Sequence, residues 1–100
     1  MGKLITVFWR DIPSHIIFKT KSGKFKKQMS PRFENAIDRA AMRAGKGSSD
    51  AYMADWRREI VKIKTDDPQS IVDQEIELLE QMFSDDLLEK TVKSKGIKEE

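Results

Sequence analysis

The chain has 100 residues, of which 38% are apolar and 36% are charged, and it contains no cysteine. This length suits one domain with one hydrophobic core. The missing cysteine excludes disulfides, thiolate nucleophiles and cysteine-based zinc sites. No apolar run approaches the roughly 18 residues that a membrane-spanning helix needs. We therefore expect a cytoplasmic protein without a membrane partner.

The net charge of +2 conceals a strong asymmetry along the chain. Residues 1–29 carry seven basic and one acidic side chain, whereas residues 66–100 carry four basic and eleven acidic side chains. Two interpretations remain open: the two parts attract each other within the fold, or each presents a face to a different partner.

Two strands are predicted at the start of the chain. Residues 4–9 are rich in β-branched and aromatic side chains, and both alternating sets are mostly apolar, which is typical of a strand inside a sheet or covered on both sides. A turn around Pro13 leads to a second strand over residues 15–21, which we expect to pair antiparallel with the first. Residues 24–29 form either a third short strand or an extended loop.

The clearest helix follows these strands. Ser30 is a preferred N-cap residue and Pro31 a preferred first helical residue. Apolar side chains then recur at helical spacing over residues 33–44. Glycines end this helix near residue 45.

The second half of the chain predicts three helices and one strand. A short helix is expected over residues 51–57, a strand over residues 59–65 and a long helix over residues 68–83. Ser84 can cap a final helix that ends near residue 92. Residues 94–100 are predicted to be a frayed, charged tail after a single domain over residues 1–93.

The predicted order is β-β-(β)-α-α-β-α-α, which indicates an α+β fold. We expect a small, mainly antiparallel sheet of three to four strands with helices packed mainly on one face. The apolar stripes of residues 33–44 and 71–83 should close over the strand at residues 4–9 and form one shared interior.

No arrangement of residues predicts catalysis, and no metal or cofactor site is expected. His15 is the only histidine, and it has no companions at metal-ligand spacing. We interpret it as a strand residue at a sheet edge. The acidic residues lack the alternating loop pattern of a calcium site, and the glycines near residue 45 lack the order of a phosphate-binding loop. The sequence therefore favours a non-catalytic protein over an enzyme.

Two Trp-Arg segments suggest a protein-binding surface, because exposed tryptophan and arginine are frequent interface hot spots. The alternative is that both tryptophans lie in the core and that the arginines pair with acidic residues. If the two segments converge, the candidate surface consists of Trp9, Arg10, Asp11, Tyr52, Trp56, Arg57 and Arg58.

A basic stretch suggests a second function, nucleic-acid binding, because lysines attract phosphates. The alternative is an edge strand that lysines protect from aggregation. The candidate residues are Lys19, Lys21, Lys24, Lys26 and Lys27.

Several segments together resemble a known family. They are KLITVFWRDIP at residues 3–13, RF at 32–33, AIDRAAMR at 36–43, DAY at 50–52 and WRR at 56–58. The combination resembles the small bacterial virulence factor domain, which also ends the longer conserved virulence factor C proteins. The resemblance implies a bacterial, intracellular domain without an assigned catalytic mechanism. It also implies that short members are accessory to one-carbon metabolism that uses folate or corrinoid cofactors.

Overall fold

The computed structural model describes residues 2–45 and 53–97. Over these residues the order is β-β-β-α-β-α-α, so the α+β prediction is confirmed and the undecided basic stretch is a strand. The elements are β1 (Gly2–Trp9), β2 (Ile12–Thr20), β3 (Gly23–Gln28), α1 (Pro31–Arg43), β4 (Trp56–Ile63), α2 (Pro68–Met82) and α3 (Asp85–Lys93).

The strands form one antiparallel sheet in the order β3-β2-β1-β4. β1 therefore lies inside the sheet, as its apolar composition predicts. It pairs with β2 on one side and with β4 on the other along its length. The chain returns to β1 only after α1, so the β1–β4 pairing joins distant parts of the sequence.

A β-bulge interrupts the pairing of β1 with β2. Val7 lies opposite His15, but Phe8 lies opposite Pro13, so Ser14 is the extra residue on β2. The carbonyl of Ser14 accepts a hydrogen bond from the backbone N–H of Met29 at 3.0 Å. Because a bulge increases the local twist, the sheet bends at the end where α1 begins.

The helices cover one face of the sheet. α2 packs against β2 and β3, while α1 packs against β2 and α3. At the Lys3 end of the sheet, Leu4, Ile16 and Phe18 belong to this core and alternate with side chains of the opposite face. The largest fully buried apolar side chains of this core are Trp9, Ile12, Ile16, Phe18, Phe33, Val72 and Val92.

The expected closure of the apolar stripes of α1 and α2 over β1 is confirmed in part, since the shared core includes Leu4 and Trp9 of that strand but not all of its apolar side chains. Leu4 belongs to the core beneath the helices, whereas Ile5 and Val7 are buried but lie outside that cluster. Alternation directs these two side chains to the opposite face. The apolar stripes of α1 and α2 do lie in the core, since Ile37 and Leu79 are both buried.

The start of β4 corrects a second expectation. The helix predicted over residues 51–57 does not reach its last two residues, because Trp56 and Arg57 belong to β4. Residues 51–52 lie outside the described part. Pairing of Trp56 with Trp9 across the sheet overrides the local helical pattern.

The start of α1 is joined to the end of α2 by one carboxylate. Ser30 is the N-cap residue, but its side chain makes no capping bond. Instead its hydroxyl and its backbone N–H donate to Glu80 at 2.9 and 2.8 Å. Arg32 donates to the same carboxylate through Nε at 3.2 Å and through Nη2 at 3.1 Å. Partial burial raises the pKa of Glu80, but the bonds from Ser30 and Arg32 outweigh burial and hold the pKa below its usual value.

We expect Glu80→Gln to lower the free energy of unfolding by about 1–2 kcal/mol at neutral pH, because it removes a charge-assisted hydrogen-bond acceptor. The contribution of the carboxylate is complete above the unfolded-state pKa of about 4.3. It is lost as pH falls through the lower folded-state pKa. Urea unfolding at several pH values should therefore show the difference between variant and parent narrowing below about pH 4.

The matched control is Glu77→Gln on the same helix, whose carboxylate accepts only from the exposed Gln81 side chain among the described residues. This variant should change stability little at any pH. An equal loss in both variants would contradict the role assigned to Glu80.

Candidate binding surfaces

The structure brings the two Trp-Arg segments together. Trp9 and Trp56 are cross-strand partners on β1 and β4. The backbone N–H of Arg10 donates to the carbonyl of Asp55 at 3.0 Å, and Arg57 Nε donates to the carbonyl of Arg10 at 2.7 Å. The segments therefore meet at one end of the sheet through backbone contacts.

Trp9 and Arg10 stabilise this junction through contacts within the fold. Trp9 is 0% exposed and belongs to the core. The Arg10 guanidinium lies 5.1 Å from the Trp9 ring centroid, forms an ion pair with Asp55 at 3.3 Å and donates to the Lys95 carbonyl at 2.7 Å. Of the predicted surface, Trp9 is therefore closed to any partner.

Arg57 and Asp11 are engaged with each other and with their neighbours. The Arg57 guanidinium lies 4.3 Å from the Phe8 ring centroid and 3.4 Å from Asp11, and it also pairs with Glu59. Arg58 is exposed on the other side of β4. Tyr52 lies outside the described residues.

Residues 94–97, predicted as the start of a charged tail, contact the junction. Gly96 has a φ of +89° and accepts a hydrogen bond from the Asp11 N–H at 2.9 Å. A Cβ at Gly96 would lie only 2.6 Å from Cζ3 of Trp9. Glycine is therefore required here both by the backbone conformation and by the close approach to the indole ring.

Strand alternation gives the sheet a second face, opposite to the core residues Leu4 and Phe18. We call it the open face, and its side chains form three rows that each cross all four strands. The rows are Lys24, Lys19, Lys3 and Lys62; Lys26, Ile17, Ile5 and Ile60; and Gln28, His15, Val7 and Arg58.

The first row consists of four lysines, one from each strand. Neighbouring strands lie about 4.8 Å apart, so the row extends over roughly 14 Å. The lysines line a shallow depression of about 700 Å³ together with the hydroxyl-bearing Thr20 and Ser22 of the β2–β3 turn. Four exposed amines in direct register make this end of the open face strongly cationic.

The open face carries six cationic side chains and no acidic one. Glu59 is the one carboxylate within the strands, and it points to the covered face opposite Thr6. In the described part of the chain, none of these six cations lies in an ion pair. The six are Lys3, Lys19, Lys24, Lys26, Lys62 and Arg58.

The predicted nucleic-acid set divides between the two faces. Lys19, Lys24 and Lys26 lie on the open face, and Lys21 lies in the β2–β3 turn. Lys27 points to the covered face, where its Nζ lies 3.0 Å from Asp73 on α2. Sequence reasoning missed Lys3, Lys62 and Arg58 as members of the same surface. The shared pattern of a basic residue two positions from an isoleucine could have identified all three.

The centre of the open face is aliphatic. Ile5, Ile17 and Ile60 lie side by side on β1, β2 and β4, and Val7 lies next to Ile5 on β1. Ile5 and Val7 are buried, whereas Ile60 is 57% exposed. No phenylalanine, tyrosine or tryptophan is present among the three rows.

His15 lies on the open face, on the interior strand β2, so the predicted edge position is wrong. It is half-buried, and its Nδ1 lies 3.1 Å from the Ser14 hydroxyl. A cavity of about 380 Å³ beside it is lined in part by Val7, Trp56 and Arg58. Burial lowers the pKa of His15, and the positive charges of Lys26 and Arg58 lower it further. Both effects favour the neutral imidazole.

The covered side of β4 has a separate groove. It lies between β4 and α2, has a volume of about 650 Å³ and is lined in part by Val61, Leu79 and Met82. Val61 is 55% exposed, nearly the same as Ile60 on the other side of the strand. The adjacent residues Ile60 and Val61 of β4 therefore belong to two different surfaces.

Within the described residues, no group of three or more histidine or acidic side chains is arranged to hold a metal ion. In the same part of the chain, every helix is too short or too polar to cross a bilayer.

A family model described as "Virulence factor" matches residues 7–92. The match extends from the second half of β1 into α3 and includes both Trp-Arg segments. No curated protein and no solved structure matches the chain.

We expect Gly96→Ala to destabilise the protein more than Gly45→Ala. Both glycines have positive φ, so alanine costs each about 1 kcal/mol in backbone strain. An added Cβ meets nothing within 4 Å at Gly45 but meets the buried Trp9 ring at Gly96. The Gly96 variant should lose at least about 1 kcal/mol more in urea unfolding. Equal losses would show that residues 94–97 do not pack on Trp9 in solution.

Proposed function

The chain belongs to the virulence factor family, and from that premise we propose that it is a non-catalytic domain that binds another protein. The observation that supports this proposal is the aliphatic centre of the open face. Exposed apolar groups surrounded by charged ones are characteristic of interaction sites. Ile60 is more than half exposed at that centre.

The proposed contact surface differs from the one that the Trp-Arg segments predict. Trp9 is buried, and Arg10 and Arg57 are engaged by neighbouring groups of the same chain. Arg58 lies on the open face, and Trp56 lines the cavity next to it. We therefore assign the Trp-Arg junction to folding and the open face to binding.

The family resemblance suggests which partner to test first. Short members are expected to be accessory to folate- or corrinoid-dependent methyl-transfer enzymes. An exposed, aliphatic face on a small domain suits an accessory subunit that docks on a larger enzyme. Enzymes of that class are therefore the first candidates among co-purifying proteins.

We expect Ile60→Ser to weaken retention of the native partner about tenfold, because burial of an isoleucine side chain contributes roughly 1.5–3 kcal/mol. Val61→Ser is the matched control, since it removes an equally exposed apolar side chain from the other surface of the same strand. Affinity purification from the native host, followed by quantitative mass spectrometry, compares the two variants with the parent. Loss of the partner with Val61→Ser alone would place binding in the groove between β4 and α2.

A second candidate function, nucleic-acid binding, is favoured by the lysine row. Neutralisation of about five phosphates of a single strand predicts a slope of about −3.5 in log affinity against log salt. The affinity should then fall about 100-fold between 50 and 200 mM salt. Fluorescence anisotropy with labelled single-stranded DNA and RNA measures this dependence.

The variants for this test separate the two faces. Lys19→Gln together with Lys24→Gln should make the salt slope shallower, while Lys27→Gln should leave it unchanged. Absence of binding at 50 mM salt would exclude this function for the open face.

A further inference from the structure

We propose that the open face binds an amphipathic helix of a partner protein, with an apolar stripe flanked by aspartate and glutamate side chains. This inference rests on the proposed protein-binding function and specifies the chemistry of the partner.

The width of the aliphatic centre fits one helix. Ile17, Ile5 and Ile60 lie on three successive strands, and two strand spacings amount to roughly 10 Å. An α-helix with its side chains is about 10–12 Å wide. One apolar stripe can therefore lie along this row, where Ile60 is exposed and Ile17 is half-buried. Ile5 and Val7 are already buried.

The cations define what must flank that stripe. The lysine row borders the aliphatic centre at one end, Lys26 borders it on β3, and Arg58 borders it on β4. Like charges directly opposite each other in a sheet are destabilising. Carboxylates on both sides of a docked apolar stripe would neutralise them, which is the complementarity that guides protein association.

Protection of sheet edges does not explain these lysines. Such protection places lysines on edge strands, and Lys24 on β3 and Lys62 on β4 fit that role. Lys3 and Lys19 lie on the interior strands β1 and β2, whose backbone groups are already paired. We therefore attribute the position of Lys3 and Lys19 in the row to a ligand outside the sheet.

The composition of the face favours a protein over a nucleic acid. Single-stranded nucleic acids are held by aromatic side chains that stack on bases. The centre of this face is isoleucine and valine, which contribute no such stacking. A ligand that offered phosphates alone would contact the lysines and leave the exposed Ile60 uncovered.

Three carboxylates of this chain already form ion pairs with basic side chains. Asp73, Glu80 and Glu89 form ion pairs with Lys27, Arg32 and Arg39 on the covered side of the molecule. These three carboxylates are therefore engaged away from the open face.

The full chain is used as bait for a displayed library of helical peptides with randomised positions. Binding of labelled single-stranded DNA to the chain is measured in parallel. Selected peptides should share an apolar stripe at i, i+3 or i+4 and i+7, with acidic residues on both flanks. Their affinities are then measured by fluorescence anisotropy. We expect the double variant Lys3→Gln, Lys62→Gln and the single variant Ile60→Ser each to bind at least tenfold more weakly.

Control variants separate the face from the rest of the surface. Val61→Ser and Lys90→Gln, the latter on α3, should bind the selected peptides like the parent. Thermal melts establish that every variant is folded. Weaker binding by all variants alike would contradict the assignment of the site to the open face.

The outcomes distinguish this inference from the function on which it rests. Selected peptides that lack acidic flanks, or that bind independently of Lys3, Lys62 and Ile60, overturn the inference and leave protein binding standing. Retention of DNA through the lysine row, with no peptide selected, overturns both.

Discussion

The register of β1 is the constraint on which the rest of the structure depends. Because side chains alternate across a strand, the pairing of β1 with β2 and β4 decides which side chains meet the helices. In this register Leu4, Phe18 and Phe25 lie in one row beneath α2, and Lys3, Lys19 and Lys24 lie in a row on the other face. A slip of one residue would put lysines into the core. The same pairing therefore builds the interior and sorts the cations.

The charge asymmetry of the sequence has two consequences in the structure. On the covered side, basic and acidic segments attract each other within the fold, as Arg32 with Glu80 and Arg39 with Glu89 demonstrate. On the open face, the cations of the strands have no carboxylate among them. In the basic N-terminal part, Arg10 and Lys27 form ion pairs within the fold, whereas Lys3, Lys19, Lys24 and Lys26 lie on the open face.

Local signals in the sequence predict most of the helices and strands. The predictions that fail are those that depend on pairing between residues far apart in sequence. Proline and capping residues mark the starts of α1, α2 and α3, where Asp67 and Ser84 accept the expected backbone bonds. Helical stripes identify core residues such as Ile37 and Leu79. The open face was not predicted, since its rows combine residues that are up to 59 positions apart, from Lys3 to Lys62. Trp56 was assigned to a helix because its partner, Trp9, lies far away in sequence.

The lysine row also lowers the stability of the free protein. Each cross-strand pair of like charges opposes folding by about 0.2–1 kcal/mol, and this row contains three such pairs. The flexible stems of lysine relieve part of this repulsion by extending the amines into water. A bound acidic partner would remove the remainder, so binding and folding are linked at this face. A sheet that keeps four amines in register is therefore less stable alone than in complex with an anionic surface.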